Sequence, residues 1–268
     1  MVGRKPHYKM PLAGPARLAF SVVIITRDAL RELPACLDSV GFADEVIVVD
    51  SGSTDGTPDF AAGRGARVVH QDWLGFGRQK QFAVEQARHD WVLCVDADER
   101  VSAPLRTAIE QALHKPACGA FRMPRCNRFM GRWLRHGEGY PDWSLRLFDR
   151  RLAAWSDDPV HEKVQARCAV GKLDGDLLHE SAECMSTYLE KQNRYSTLQA
   201  RQMLEAGRHA GAFQLLLAPL TRFVKFYVLR LGLLDGVAGL THILIGCYAT
   251  FMKYAKLIAF AREREAHD

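Results

Sequence analysis

Between residues 18 and 117, short β-branched apolar runs alternate with stretches whose apolar residues recur at helical spacing. No other feature of the chain limits its fold as tightly. Leu18–Thr26, Glu45–Asp50, Ala66–His70 and Trp91–Asp96 read as strands. Between them, Leu30, Leu33, Leu37 and Val40 share one face of a predicted helix over Ala29–Val40. Thr57 and Pro58 open a short helix to about Gly63, and Gly75–His89 reads as a third. Ser102 caps a fourth, with Leu105, Ile109 and Leu113 on one side. Strands separated by helices pair in parallel through right-handed crossovers. The expectation is an α/β domain whose ligand crevice lies at the carboxyl ends of its strands.

Acidic residues fall where those strands end: Asp28, Asp50 and the pair Asp96/Asp98. Carboxylates crowded on one sheet edge repel each other unless a cation or donor groups offset them. Oxygen ligands suit Mg²⁺ or Mn²⁺, ions that typically share phosphate oxygens with a substrate. Asp50 is placed to bond a sugar hydroxyl or a base nitrogen; its alternative is a turn carboxylate holding the backbone of Ser51–Asp55. Asp28 reads equally well as a helix cap. There is no Gly-x-x-x-x-Gly-Lys-Ser/Thr loop, and Gly75-Phe-Gly77 lacks the third glycine of a dinucleotide fingerprint. Phosphate then falls to the metal and to basic side chains, which suits a nucleotide-diphosphate leaving group.

From Cys118 the pattern changes to short strands, Gly119–Pro124, Leu145–Phe148, Ala166–Val170 and Gly175–His179, and then to a polar helix from Thr187 to Gly207. The 268 residues accommodate one α/β domain with an appendage. The expected division is a basic tail 1–17, a domain 18–185 (an α/β half 18–117 and an α+β half 118–185) and a helical region 186–268. In that last region Ala210–Thr221 and Gly236–Met252 are uncharged, and Asp235 is the only acid between Ala206 and Arg262. An amphipathic or re-entrant pair of helices lying on an anionic membrane surface is expected, the alternative being a helical hairpin buried against the preceding domain or in a dimer. Seven cysteines without a Cys-x-x-Cys pair fit reduced thiols. The basic N-terminus has no apolar run behind it, so no signal peptide is expected. The protein is expected in the cytosol, on the inner face of the cytoplasmic membrane, without a nucleic-acid partner.

Several blocks in order, Val22-Val-Ile-Ile-Thr-Arg27, Asp44-Glu-Val-Ile-Val-Val-Asp-Ser-Gly-Ser-Thr-Asp-Gly-Thr57, Gly75-Phe-Gly-Arg-Gln-Lys80 and Asp96-Ala-Asp98, resemble family 2 glycosyltransferases. Gly139–Phe148, Val160-His-Glu162, Gly175–His179 and Asn193–Thr197 resemble, more narrowly, the lipopolysaccharide core β-glucosyltransferase group. The resemblance covers roughly residues 18–260. It implies a GT-A fold, a nucleotide-sugar donor, an inverting transfer and a lipid-linked oligosaccharide acceptor, with glucose from UDP-glucose as the expected sugar. By the same resemblance Asp50, with Ser51 beside it, contacts the uridine, and Thr26 and Asp28 line the base pocket. Arg78 and Lys80 meet the diphosphate, Asp96 binds the ribose or pyrophosphate side, and Asp98 ligates the divalent metal.

An inverting transfer needs a general base for the acceptor hydroxyl. Where relatives carry Glu-Asp, this chain offers Glu162, with Asp142 and Asp158 behind it; Glu162 is alternatively a structural partner of Arg146 or Arg150. His179 closes a predicted strand and is a further metal or phosphate contact, or else a buried structural histidine. Trp133, Trp143 and Trp155 are candidates for stacking on sugar rings. Within the same enzyme class the rival is transfer to a polyprenyl phosphate. Outside it stand a haloacid-dehalogenase-type phosphohydrolase, disfavoured because Glu99-Arg100 follows Asp98 where Gly-Thr is wanted, and a non-catalytic sugar-binding membrane module.

Overall fold

The structure is a computed structural model and describes residues 17–157, 162–180 and 184–265. Its first half runs β1 (Phe20–Thr26), α1 (Leu33–Val40), β2 (Glu45–Asp50), α2 (Thr57–Gly63), β3 (Arg67–His70), α3 (Phe76–Glu85) and β4 (Trp91–Asp96). These strands pair in parallel in the order β3-β2-β1-β4. The register sets Thr26 beside Asp50 and Ile25 beside Asp96, so the acidic strand ends share one edge. Helix α1 starts later than its apolar spacing suggests, because Pro34 occupies its first turn and favours initiation there. The residues before it belong to the sheet edge instead. Ala29 N–H donates to Thr57 Oγ1 and Leu30 N–H to Asp55 Oδ2, each at 2.9 Å.

The second half adds β5 (Glu99–Val101), α4 (Ala103–His114), β6 (Ala120–Phe129), β7 (Arg132–Trp133), β8 (Asp142–Asp149), β9 (Ala153–Trp155), β10 (Val164–Ala166), β11 (Val170–Lys172) and β12 (Leu177–His179). Strand β8 lies antiparallel between β4 and β6, and the sheet continues through β12 to β5. Strand β6 runs on past Pro124, where the sequence pattern stops. It pairs with β11 through residue 122 and with β12 from residue 125, so the proline sits in the gap where no ladder partner is needed on that side. Alternate residues of each strand feed the two faces. Phe20, Val22 and Ile24 pack with Leu33, Leu105, Ile109 and Leu113 on one side. Val23, Ile47 and Val49 pack with Ala83, Val84 and Phe148 on the other.

Three longer helices complete the chain: α5 (Met185–Glu205), α6 (Ala212–Phe223) and α7 (Gly236–Glu265). A π-helical stretch, Val224–Leu229, and a short turn, Gly232–Asp235, join the last two. The uncharged run predicted to end at Met252 lies inside a longer helix, since Lys253 and Lys256 are good helix formers and do not end it. Ala212–Leu229 and Gly232–Arg264 are long and apolar enough to cross a membrane by length and composition. No part of the first of these is buried, and Phe213, Leu216, Leu220, Leu229 and Val237 are exposed.

This helical region grips the loop between β7 and β8. Buried Asp235 accepts from the backbone N–H of Arg135 (3.0 Å) and of His136 (2.8 Å), and lies 3.0 Å from His136 Nδ1. Gly137 N–H donates to Arg230 O at 2.8 Å. Glu138 pairs with Arg222, over the face of α7 at Gly246, where an added Cβ would stand 2.6 Å from the carboxylate.

Candidate active site

A cleft of about 1350 Å³ opens at the carboxyl ends of β1 and β4. Its lining includes Thr26, Asp28, Lys80, Asp96, Asp98, Glu162 and His179, with Arg194 and Tyr195 from one face of α5. The sequence reading therefore brings seven of its candidates to one place, and α5 supplies a wall that it did not anticipate.

At the centre, Asp96 is held by two cations. Lys80 Nζ lies 3.1 Å from its Oδ1, and Arg146 Nη2 donates to its Oδ2 at 2.8 Å. Burial alone would raise this carboxyl; the charges of Arg146 and Lys80 outweigh burial and hold it well below the usual carboxylate range. Arg146 is itself buried and also donates to Glu99 Oε1 at 2.8 Å, while Glu99 accepts Asp96 N–H at 3.0 Å. Arg125 stands 3.6 Å from Glu99. Lys80 continues the chain of charges to Glu162 Oε1 at 3.7 Å, packed over the Trp155 ring at 4.8 Å. Close approach sets this corner. A Cβ at Gly77 would lie 2.3 Å from Ser156 O and 3.3 Å from Glu162 Cβ, so only glycine lets α3 seat Lys80 here.

Asp96 was expected to share in holding the metal. Both of its oxygens are instead engaged by Lys80 and Arg146, and among the described residues no three His, Cys, Asp or Glu side chains gather as a metal cluster. The pair that does meet is Asp98 and His179, Oδ2 to Nε2 at 3.2 Å. Strand β12, lying between β6 and β5, puts them together by register. His179 Nδ1 lies 2.8 Å from Asn127 Oδ1, and Asn127 Nδ2 donates to Gly139 O at 3.4 Å. The amide so oriented accepts the Nδ1 proton, which in a neutral ring turns the Nε2 lone pair toward the Asp98 carboxylate. Two acceptors then face each other, an arrangement a cation completes. One carboxylate and one imidazole fit Mn²⁺ or Mg²⁺ that takes its remaining ligands from a substrate diphosphate.

Other candidates stand elsewhere. Asp50, expected to meet the nucleotide, is buried and turned back on its own loop. It accepts from Thr26 Oγ1, Gly52 N–H, Ser53 N–H and Ser53 Oγ, which fills a carboxylate's acceptor positions. The turn alternative describes it. Ser51 is buried and receives Gln79 Nε2 at 3.0 Å. Asp28 caps no helix: its Oδ1 accepts Thr54 N–H at 2.8 Å, tying two strand-end loops together, while the residue stays in the cleft lining. Arg78 points to Asp157 at 3.7 Å and Asp142 is paired with Arg125 at 2.7 Å; neither lines the cleft. Asp158 lies outside the described residues. The structural partners foreseen for Glu162 were Arg146 or Arg150, whereas it meets Lys80. Trp133, Trp143 and Trp155 do not line the cleft; Trp73 does. Glu99 and Asn127 escaped the sequence reading, and Arg146, foreseen as a partner of Glu162, bonds Asp96 and Glu99 instead. The available signal was a charge inside an apolar strand, Leu145-Arg-Leu-Phe148, which must find a buried partner.

A parallel nucleotide-binding sheet extended by antiparallel strands, with an acidic cleft at its edge, is the GT-A-like transferase fold. The chain matches the profile "Glycosyl transferase family 2" over residues 21–170. It is 31% identical over 250 residues, 90% of this chain and 92% of the relative, to the lipopolysaccharide core biosynthesis glycosyltransferase LpsC of Rhizobium meliloti. An uncharacterised glycosyltransferase of Rickettsia typhi is 30% identical over 88% of this chain and 86% of its own. A mannosyltransferase of Pyrobaculum calidifontis, solved in complex with GDP-mannose and Mn²⁺, shares the fold with a TM-score of 0.50 at 18% identity, covering 94% of this chain and 90% of that one. The chain belongs to glycosyltransferase family 2. The phosphohydrolase alternative falls with that membership.

Proposed function

We propose that this protein is a divalent-metal-dependent, inverting hexosyltransferase. It transfers a sugar, glucose from UDP-glucose in our reading, to a lipid-linked core oligosaccharide of lipopolysaccharide at the cytoplasmic face of the membrane. The observation that carries the reading is one cleft holding three things together: the Asp98/His179 pair, the Lys80-bridged carboxylates Asp96 and Glu162, and a wall from α5, which packs on α7. The similarity to LpsC supports the choice of acceptor.

Asp98 and His179 would hold Mg²⁺ or Mn²⁺, which when bound neutralises charge developing on the departing diphosphate. Thr26 and Asp28, which line the cleft, would meet the nucleoside. Lys80, fixed between Asp96 and Glu162, presents an ammonium toward the diphosphate. Glu162 takes the proton of the acceptor hydroxyl as its oxygen bonds to the anomeric carbon. The bond from that carbon to the diphosphate breaks, and its electron pair leaves with the diphosphate. Attack opposite the leaving group inverts the anomeric centre.

The exposed apolar side chains of α6 and the π-helical stretch, interleaved with Lys225 and Arg230, suit a peripheral seat on an anionic leaflet. Helix α7 is tied to a polar helix beyond its uncharged run. Lys256 on it bonds Asn193 Oδ1 (2.6 Å), Ser196 Oγ (2.8 Å) and Thr197 Oγ1 (2.7 Å) of polar α5. This favours the surface-seated transferase over a polyprenyl-phosphate enzyme with membrane spans.

The test measures nucleotide-diphosphate release from a panel of nucleotide sugars with envelope extract as acceptor, with Mn²⁺ or chelator. It compares wild type with Asp98→Asn and Glu162→Gln. Chelator-sensitive release from one UDP-sugar, lost in both variants, supports the proposal. Undiminished turnover by Glu162→Gln removes the base assignment, and turnover unaffected by chelator removes the metal.

A further inference from the structure

Behind His179 stands a residue that ties its ring to the loop between β7 and β8. Asn127 sits on β6 directly beside His179 of β12, in parallel register. Its amide has two partners. Oδ1 meets His179 Nδ1 at 2.8 Å, and Nδ2 donates to the Gly139 carbonyl at 3.4 Å. The second contact decides the first, because an amide whose nitrogen faces a carbonyl must present its oxygen to the ring. An oxygen at Nδ1 requires the proton there, and in the neutral ring Nε2 is then the acceptor nitrogen, 3.2 Å from Asp98 Oδ2.

Gly139 is itself fixed. Its loop is held to the helical region by Asp235 on His136, by Arg230 O on Gly137 N–H, and by Arg222 on Glu138. Gly137 and Gly232 pack backbone to backbone, a Cβ on Gly137 falling 3.1 Å from Gly232 Cα. Tyr140, next in the chain, donates to Asp176 Oδ1 at 2.8 Å. The loop is thus anchored on both sides of the carbonyl that orients Asn127.

We propose that Asn127 is a positioning residue for the metal pair. It selects the imidazole tautomer and ring direction that present His179 Nε2 beside Asp98, and the loop seated in the C-terminal helices holds Asn127 for that task. The inference rests on the metal role given to Asp98 and His179 above. Partners that hold the far nitrogen of a ligating histidine are worth about 10–100-fold in metal affinity.

The experiment measures Mn²⁺ binding to the purified, metal-free chain by electron paramagnetic resonance, with and without UDP, for wild type, Asn127→Ala, Asn127→Asp and His179→Ala. Asn127→Ala is expected to weaken Mn²⁺ about 10–100-fold. Asn127→Asp is expected to stay within a few fold of wild type, since a carboxylate accepts the same Nδ1 proton; a merely structural asparagine predicts no such rescue. If Asn127→Asp binds as weakly as Asn127→Ala, or if Asn127→Ala binds as wild type while His179→Ala does not, the positioning role is overturned. If His179→Ala binds Mn²⁺ as wild type does, it is the metal assignment beneath the proposal that fails.

Discussion

Replacing Arg146 with methionine removes the guanidinium from the centre of the site at nearly constant volume. Two carboxylates lose a bond of 2.8 Å each, but they do not lose equally. Asp96 keeps Lys80 at 3.1 Å and is half-buried. Glu99 is 0% exposed, and its remaining cation, Arg125, is 3.6 Å away. The cost therefore falls mainly on Glu99 as a buried charge short of its partner, about 3–5 kcal/mol. For a chain of this size each kcal/mol moves the unfolding midpoint by about 2–4 °C, so a drop of roughly 6–20 °C is expected in thermal unfolding followed by circular dichroism. Glu99→Gln in the same chain removes the stranded charge and is expected to restore more than half of the loss; the double-mutant cycle reads the coupling directly. Arg146→Met within about 1 kcal/mol of wild type, or a double variant no better than the single one, would refute the reasoning.

Gly77→Ala forces a Cβ to within 2.3 Å of Ser156 O, and overpacking of about 1–3 kcal/mol outweighs the helix propensity gained. Turnover is expected to fall with stability, because Glu162 moves with that contact; a fully active, wild-type-stable variant contradicts the packing argument. Cys184 is exposed, and hydrogen bonds from the Ser186 and Thr187 hydroxyls bring its thiol down to about 7. It is expected to be the first cysteine alkylated by iodoacetamide near neutral pH, as peptide mapping would show, ahead of Cys94, which burial pushes up to about 12. Asp149 is held below its usual range by the Arg151 hydrogen bonds, and Asp96 by Arg146 and Lys80 against its burial. Both contribute stability that is present above the unfolded carboxylate value of about 4 and is lost as pH falls below it. Urea midpoints measured at pH 7 and pH 3 are expected to drop, and Arg151→Ala should narrow that drop.

The strands of the first half could be read from the sequence almost to the residue, as Glu45–Asp50 and Trp91–Asp96 were, because a buried parallel strand needs an unbroken apolar run. Their parallel pairing followed from the helices between them, whereas their order did not. Side-chain direction at the sheet edge could not be read. An aspartate after a strand fits a ligand or its own turn equally well in sequence, and only the φ of +85° at Gly52 folds the loop so that Asp50 faces its own amides. Arg146 was beyond reach for another reason: its partners are chosen by the antiparallel placement of β8 against β4, a pairing that no local pattern encodes. Asn127 and His179 meet in the same way, through strands far apart in the chain. The start of α1 was misread despite a visible signal, Pro34.

The placement of Arg146 also bears on how the chain comes into being. Asp96 and Glu99 are made with the first half of the protein, but the guanidiniums that face Glu99 come from Arg125 and Arg146, both beyond residue 117. Strand β8, which carries Arg146, then inserts between β4 and β6 rather than adding at an edge. During synthesis the first half waits without the cations that face Glu99 and with β4 unpaired on one side. A fragment ending at residue 117 lacks both, and is expected to be less stable than the same residues within the whole chain. The strand that closes the sheet is one that arrives late.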